Sequence, residues 1–134
     1  MRALRILLIA AVVYVGVVAA FESMIGVLQP ERGETLRITT FEAGGASHER
    51  VVARLESDGK LYVAANHWPR AWYRRALANP DVKATIDGQT KDYRAVPVSG
   101  EEHDQVQSQH PLPFVFRVLT GFPPRYFVRL DPKQ

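Results

Sequence analysis

Hydrophobic positions along the chain follow two regimes. From Ile6 to Phe21 the sequence reads ILLIAAVVYVGVVAAF, sixteen residues without a charge or a side-chain amide. Arg2 and Arg5 precede the run and Glu22 follows it. After Phe21 the pattern breaks into short segments separated by turn chemistry. Leu36–Phe41 (LRITTF), Glu49–Leu55 (ERVVARL) and Leu61–Ala65 (LYVAA) are β-branched or alternating and predict strands. Glu42–Ser47 (EAGGAS) and Ser57–Lys60 (SDGK) between them predict turns. Arg70–Ala78 (RAWYRRALA) predicts a helix stopped by Asn79-Pro80, because proline cannot continue it. Val82–Ile86 and Lys91–Val98 flank Asp87-Gly88-Gln89-Thr90 as a further hairpin. Ser99 and Glu102 have the spacing of a capping box, predicting a short polar helix that fades near His110-Pro111. Phe114–Thr120 predicts another helix and Arg125–Leu130 a closing strand. The sum is a small, mostly antiparallel β-barrel with helical insertions.

The long apolar run is a separate unit. As a helix it extends ~24 Å, against a hydrocarbon core of ~30 Å. Leu4 with a snorkelling Arg5, and Met24, Ile25, Val27 and Leu28 beyond Glu22, lengthen it. Three interpretations are open. The first is a single-pass membrane anchor. The second is a signal peptide, with MRALR as its charged end and Val18-Ala19-Ala20 as its small-residue site, leaving a secreted domain. The third is a buried core helix, disfavoured because the run is apolar on every side. The basic N-terminal end favours an inside N-terminus, but Arg32 and Arg37 beyond the other end make the bias shallow. Gln29–Thr35 (QPERGET) is polar and reads as a linker, dividing residues 1–29 from a domain over 30–134.

Composition narrows the chemistry. The chain has no cysteine, which excludes disulfides, thiol nucleophiles and cysteine-ligated metals. Net charge is only +3 over 134 residues, well short of the basic stripe of a nucleic-acid binder. The four histidines lack ligand spacing, so no metal site is expected. No nucleophile elbow, phosphate-binding loop or dinucleotide fingerprint is present.

An ordered set of motifs carries a family resemblance. Thr39-Thr40, Arg50, Ala64-Ala65-Asn66, Ala71-Trp72-Tyr73 and Leu77-Ala78-Asn79-Pro80 follow one another over roughly 100 residues, with Arg125–Pro132 as a final strand. In this the chain resembles the deazaflavin (coenzyme F-420)-dependent nitroreductase and quinone reductase family. The resemblance implies a split β-barrel related to pyridoxamine-phosphate-oxidase-like, FMN-binding proteins. It implies hydride transfer from the reduced deazaflavin, with FMN as the alternative cofactor, to a quinone-like or nitroaromatic substrate. It also implies a homodimer. The contrasting expectation is a non-catalytic split-barrel module that binds a lipid, a haem-like or flavin-like ligand, or a protein partner. One departure stands out: the family's cofactor loop reads Gly-Arg-Lys-Ser-Gly, whereas here Glu42–Ser47 has lost both cations and gained an acid.

The residues themselves suggest replacements. His48, Arg50, Val52 and Arg54 share one face of a strand, since side chains alternate. Six basic residues against two acidic ones fall between Arg50 and Arg75. Guanidinium forks on Arg50 and Arg54 suit a phosphate or carboxylate, with Arg74 or Arg75 as substitutes. Gly44 and Gly45 let backbone N–H groups approach an anion. Asn66 and His67 end a strand, where functional side chains are commonly held. Trp68, Trp72 and Tyr73 form either an aromatic wall for a planar ring or a plug for a small core. No residue is assigned a catalytic proton transfer, which suits chemistry carried by a cofactor.

Overall fold

The computed structural model describes residues 1–28, 35–66 and 71–133. Its elements are α1 (Arg2–Leu28), β1 (Thr35–Phe41), β2 (Ser47–Ser57), β3 (Lys60–Ala65), α2 (Ala71–Ala78), β4 (Asp81–Ile86), β5 (Gln89–Pro97), α3 (Gly100–Gln109), α4 (Phe114–Leu119) and β6 (Tyr126–Pro132). The six strands close into one barrel in the order β1-β2-β3-β6-β5-β4, and every neighbouring pair is antiparallel. Closure removes the exposed strand edges that an open meander would leave.

The tight turns follow from their residues. Asp58-Gly59 and Asp87-Gly88 all have positive φ, from 51° to 79°. Two successive positive-φ positions suit the right-handed twist of hairpin strands. The linker read at Gln29–Thr35 falls outside the described residues apart from Thr35, which opens β1.

Alternation sets the core. Leu36, Ile38 and Thr40 of β1 are at most 2% exposed and pair with Val52, Arg50 and His48 of β2. The interior is completed by Val63, Val82, Ala84, Ala95, Val128 and Leu130, and by Trp72 and Ala76 from α2. α2 packs against β1, β2 and β5. It ends where expected, with the Asn79 N–H donating to Arg75 O at 2.8 Å. On the outer face Val106 of α3 covers Tyr62, Ala64 and Phe127.

The capping box expected at Ser99 and Glu102 does not form. Ser99 is extended (φ −146°, ψ 168°) and its side chain makes no capping bond. Glu102 turns instead to β6 and β3. Arg129 Nη1 donates to both its carboxylate oxygens at 2.8 and 3.1 Å, and the Tyr62 hydroxyl donates at 2.7 Å. Charge-assisted bonds from a guanidinium outcompete a bond to a backbone N–H near solvent.

Candidate functional site

Some of the expected site residues fall in two clefts. The first, of about 420 Å³, lies where the start of β2 meets α2 and is lined by Ser47, His48, Glu49, Arg50, Ala71, Trp72 and Arg75. β2 brings His48 and Arg50 to the inner side of the barrel, as the alternation requires. Arg50 enters beside Ile38, and its Nη2 is buried without a hydrogen-bond partner among the described residues. A buried, unpaired guanidinium nitrogen is costly, so an acceptor that reaches it is strongly favoured. Trp72 is 6% exposed, belongs to the core cluster and also lines this cleft. Core plug and cleft wall are therefore two faces of one side chain.

The turn before β2 carries Gly44 and Gly45, both with open space where a Cβ would stand, and Gly45 at φ 90°. The turn is closed by Glu42 N–H to Ala46 O at 2.8 Å and Gly45 N–H to Glu42 O at 2.9 Å. Glu42 reaches two residues that line the cleft. Its Oε1 lies 3.0 Å from His48 Nε2 and 3.7 Å from Arg75 Nε. In the absence of another anion, the chain's own carboxylate partly neutralises the cluster.

The second cleft, of about 590 Å³, opens among α3, α4 and the start of β6, with Asn66, Leu112, Arg117, Phe122 and Arg125 in its lining. Arg125 is its most constrained cation. Its Nε donates to Asn66 Oδ1 at 2.7 Å, its Nη1 donates to the His110 carbonyl, and its guanidinium carbon lies 4.7 Å from the Phe127 ring centre. Burial pushes its pKa down to about 10, because low-dielectric surroundings disfavour the charged form. Nothing in the local sequence flags Arg125, since its partners lie 15 and 59 residues away.

The remaining expected residues separate. Arg54 is on the predicted face but its Nη2 is bound by Glu56 at 2.9 Å, away from the first cleft. Tyr73 stacks on Tyr126 with centroids 5.2 Å apart and planes 11° apart, and meets Trp72 edge-on. Arg74 is exposed, whereas Arg75 lines the first cleft. His67 and Trp68 lie outside the described residues. His48, Arg50 and Trp72 line the first cleft, Gly44 and Gly45 are outside its lining, and Asn66 belongs to the second.

With this geometry in hand, the sequence profile of the F420H(2)-dependent quinone reductase family matches residues 13–112. The chain belongs to that family. No curated protein sequence matches it significantly. Among solved structures, HutZ, the heme storage protein from Vibrio cholerae, is 22% identical, with a TM-score of 0.59 over 77% of this chain and 84% of its own. An F420-H2 dependent reductase is 20% identical, with a TM-score of 0.53 over 72% and 93% of the two chains. A FAD-binding protein from Mesorhizobium loti is 17% identical, with a TM-score of 0.51 over 75% and 82%. These likenesses establish the fold, a split β-barrel of the pyridoxamine-phosphate-oxidase-like and FMN-binding kind. The family is F420H2-dependent, and the fold class expected from the sequence stands.

Proposed function

We propose that this quinone reductase family member is a membrane-anchored reductase that takes hydride from reduced coenzyme F-420 and delivers it to a lipophilic quinone-like acceptor. The observation that carries the reading is the unpartnered, buried Nη2 of Arg50, a residue that lines a cleft together with Trp72. The anionic tail of a deazaflavin supplies the acceptor that nitrogen lacks. Gly44 and Gly45 allow the tail to approach the backbone closely, and Arg75 adds a second cation. Glu42 yields His48 and Arg75 to the incoming anion. When bound, the cofactor supplies the hydride chemistry. The chain's own residues bind the tail, orient the ring and limit water access. FMN is the alternative ligand of the same cleft. The apolar helix α1 supports membrane attachment: Arg2–Met24 has a mean hydropathy of 2.5 and its apolar stretch is unburied. A homodimer is part of the proposal.

Purified full-length protein in vesicles, mixed with reduced F-420 and a quinone, tests this by following cofactor oxidation. Turnover that depends on both protein and quinone supports the proposal. A folded protein that binds neither F-420 nor FMN overturns it and leaves the non-catalytic module.

A further inference from the structure

α1 is not a free-standing tail. Its residues 1–17 are exposed, but its second half lies against α4. The Tyr14 hydroxyl donates to Val118 O at 2.8 Å, Val18 sits where a side chain on Gly121 would stand (3.3 Å), and Phe21 meets Phe116 edge-on at 5.9 Å. Tyr14, Val18 and Glu22 are four apart and share this face, and Glu22 is only 6% exposed. The acid that ends the apolar run is therefore withdrawn from the surface.

Helix geometry then sets a depth. The part of α1 ahead of Tyr14 is twelve residues, Arg2 to Val13, or about 18 Å of helix. That is too short to cross a hydrocarbon core of ~30 Å. If α1 spans a bilayer, the span has to continue through Tyr14 to Phe21, and α4 lies at the same depth. The sequence of α4 and its flanks suits that position. Phe114 and Val115 are 70% and 68% exposed, Phe122 is 48% exposed, and the one charge on α4, Arg117, lies over the Phe122 ring at 5.5 Å. Two large apolar side chains mostly exposed, one of them packed on the Phe122 ring at 6.1 Å and both close to a helix with an exposed apolar run, have the features of an interfacial membrane element.

Resting on the anchor reading above, we propose that Leu112–Phe122 inserts into the leaflet beside α1, which sets the mouth of the Asn66–Arg125 cleft against lipid. Arg117 and Phe122 belong both to this lip and to the cleft lining. An apolar molecule dissolved in the bilayer then reaches this second cleft from the leaflet instead of through water. Arg117, at the lip, is placed to meet headgroup phosphates.

The absence of native cysteine makes the test direct. Full-length Phe114→Cys, Val115→Cys, Val12→Cys and Lys91→Cys proteins are labelled with an environment-sensitive fluorophore. They are reconstituted into phosphatidylcholine–phosphatidylglycerol vesicles containing nitroxide lipids. Val12 reports α1 itself, and Lys91 reports the exposed β4–β5 end of the barrel. The expected result is quenching at positions 114 and 115 at least about twofold above that at 91, together with strong quenching at 12. Quenching at 12 without quenching at 114 and 115 overturns the inserted lip and leaves the anchor standing. No quenching at 12, or an intact mass lacking the N-terminal run, removes the anchor and the lip together.

Discussion

Arg50 faces Ile38 across β1, and its Nη2 is buried with no acceptor among the described residues. Arg50→Ala should weaken F-420 binding by about 1.5–3 kcal/mol, the value of a charge-assisted hydrogen bond. The same change should leave the unliganded melting temperature unchanged or raised, since it removes a buried guanidinium nitrogen that lacks an acceptor. Thermal melts with and without cofactor check both. Strand alternation and the local excess of basic residues make Arg54 its expected companion. Its ion pair with Glu56 now predicts that Arg54→Ala changes affinity much less. Glu42 invites the opposite change. Glu42→Gln frees His48 and Arg75, and should tighten binding of an anionic cofactor, most at low ionic strength. Titration at two salt concentrations reads this out, and weaker binding by the variant would show that Glu42 helps hold the cofactor. Trp72→Ala should cost about 3–5 kcal/mol of stability, because the ring fills the barrel interior.

The junction of α3 with β3 and β6 is an electrostatic clasp. Glu102 and Asp131 both hold Arg129, with Arg129 Nε donating to Asp131 Oδ1 at 2.7 Å. Bonds from Tyr62 and Arg129 hold the Glu102 carboxyl below its usual range, and bonds from Arg129 do the same for Asp131. A depressed carboxyl contributes stability that is fully present above its unfolded pKa and is lost as acid protonates the folded form. The clasp should therefore weaken as pH falls below the ordinary carboxyl range. At the alkaline end, burial and the Glu102 bond push Tyr62 up to about 12 from 10.0. Its contribution is present below pH 10 and lost as pH rises toward 12. Unfolding across pH should show both limbs in the native chain, and Tyr62→Phe should remove the alkaline one. An alkaline limb unchanged in that variant would place its origin elsewhere. None of this was legible in the local pattern. Ser99-x-x-Glu102 has the spacing of a helix cap, and only β6, arriving after α3 in the chain, supplies the guanidinium that takes Glu102 away. By contrast, Asp58-Gly59, Asp87-Gly88 and Asn79-Pro80 announced their turns and helix end, because each acts through its own backbone.

For the molecule as a whole, the barrel was legible as a class and the strand pairings that close it were not. Alternation and turn residues identify six strands, but the β1–β4 and β3–β6 pairings that close the ring depend on packing between distant segments. His48, Arg50 and Trp72 line one cleft, while Gly44 and Gly45 stay outside its lining. Arg125 escaped notice because its role rests on Asn66, 59 residues earlier. The apolar run was legible as a helix, but its contact with α4 was not. Full-length protein should fractionate with membranes. A chain starting at Pro30 should stay folded, since all six strands lie beyond that point, while losing the cover that α1 gives Phe116. Limited proteolysis of the shortened chain should then cut first around α4. An unfolded shortened chain would make α1 part of the folding unit.

Whether the Arg50 cleft holds the anionic tail of a deazaflavin is decided by fluorescence titration of coenzyme F-420 into the full-length protein and its Arg50→Ala variant in the same buffer. Saturable binding by the native chain is expected, with at least about tenfold weaker binding by the variant, the lower end of a charge-assisted bond. Equal affinity for the two, or no binding by a folded native chain, would contradict that binding mode.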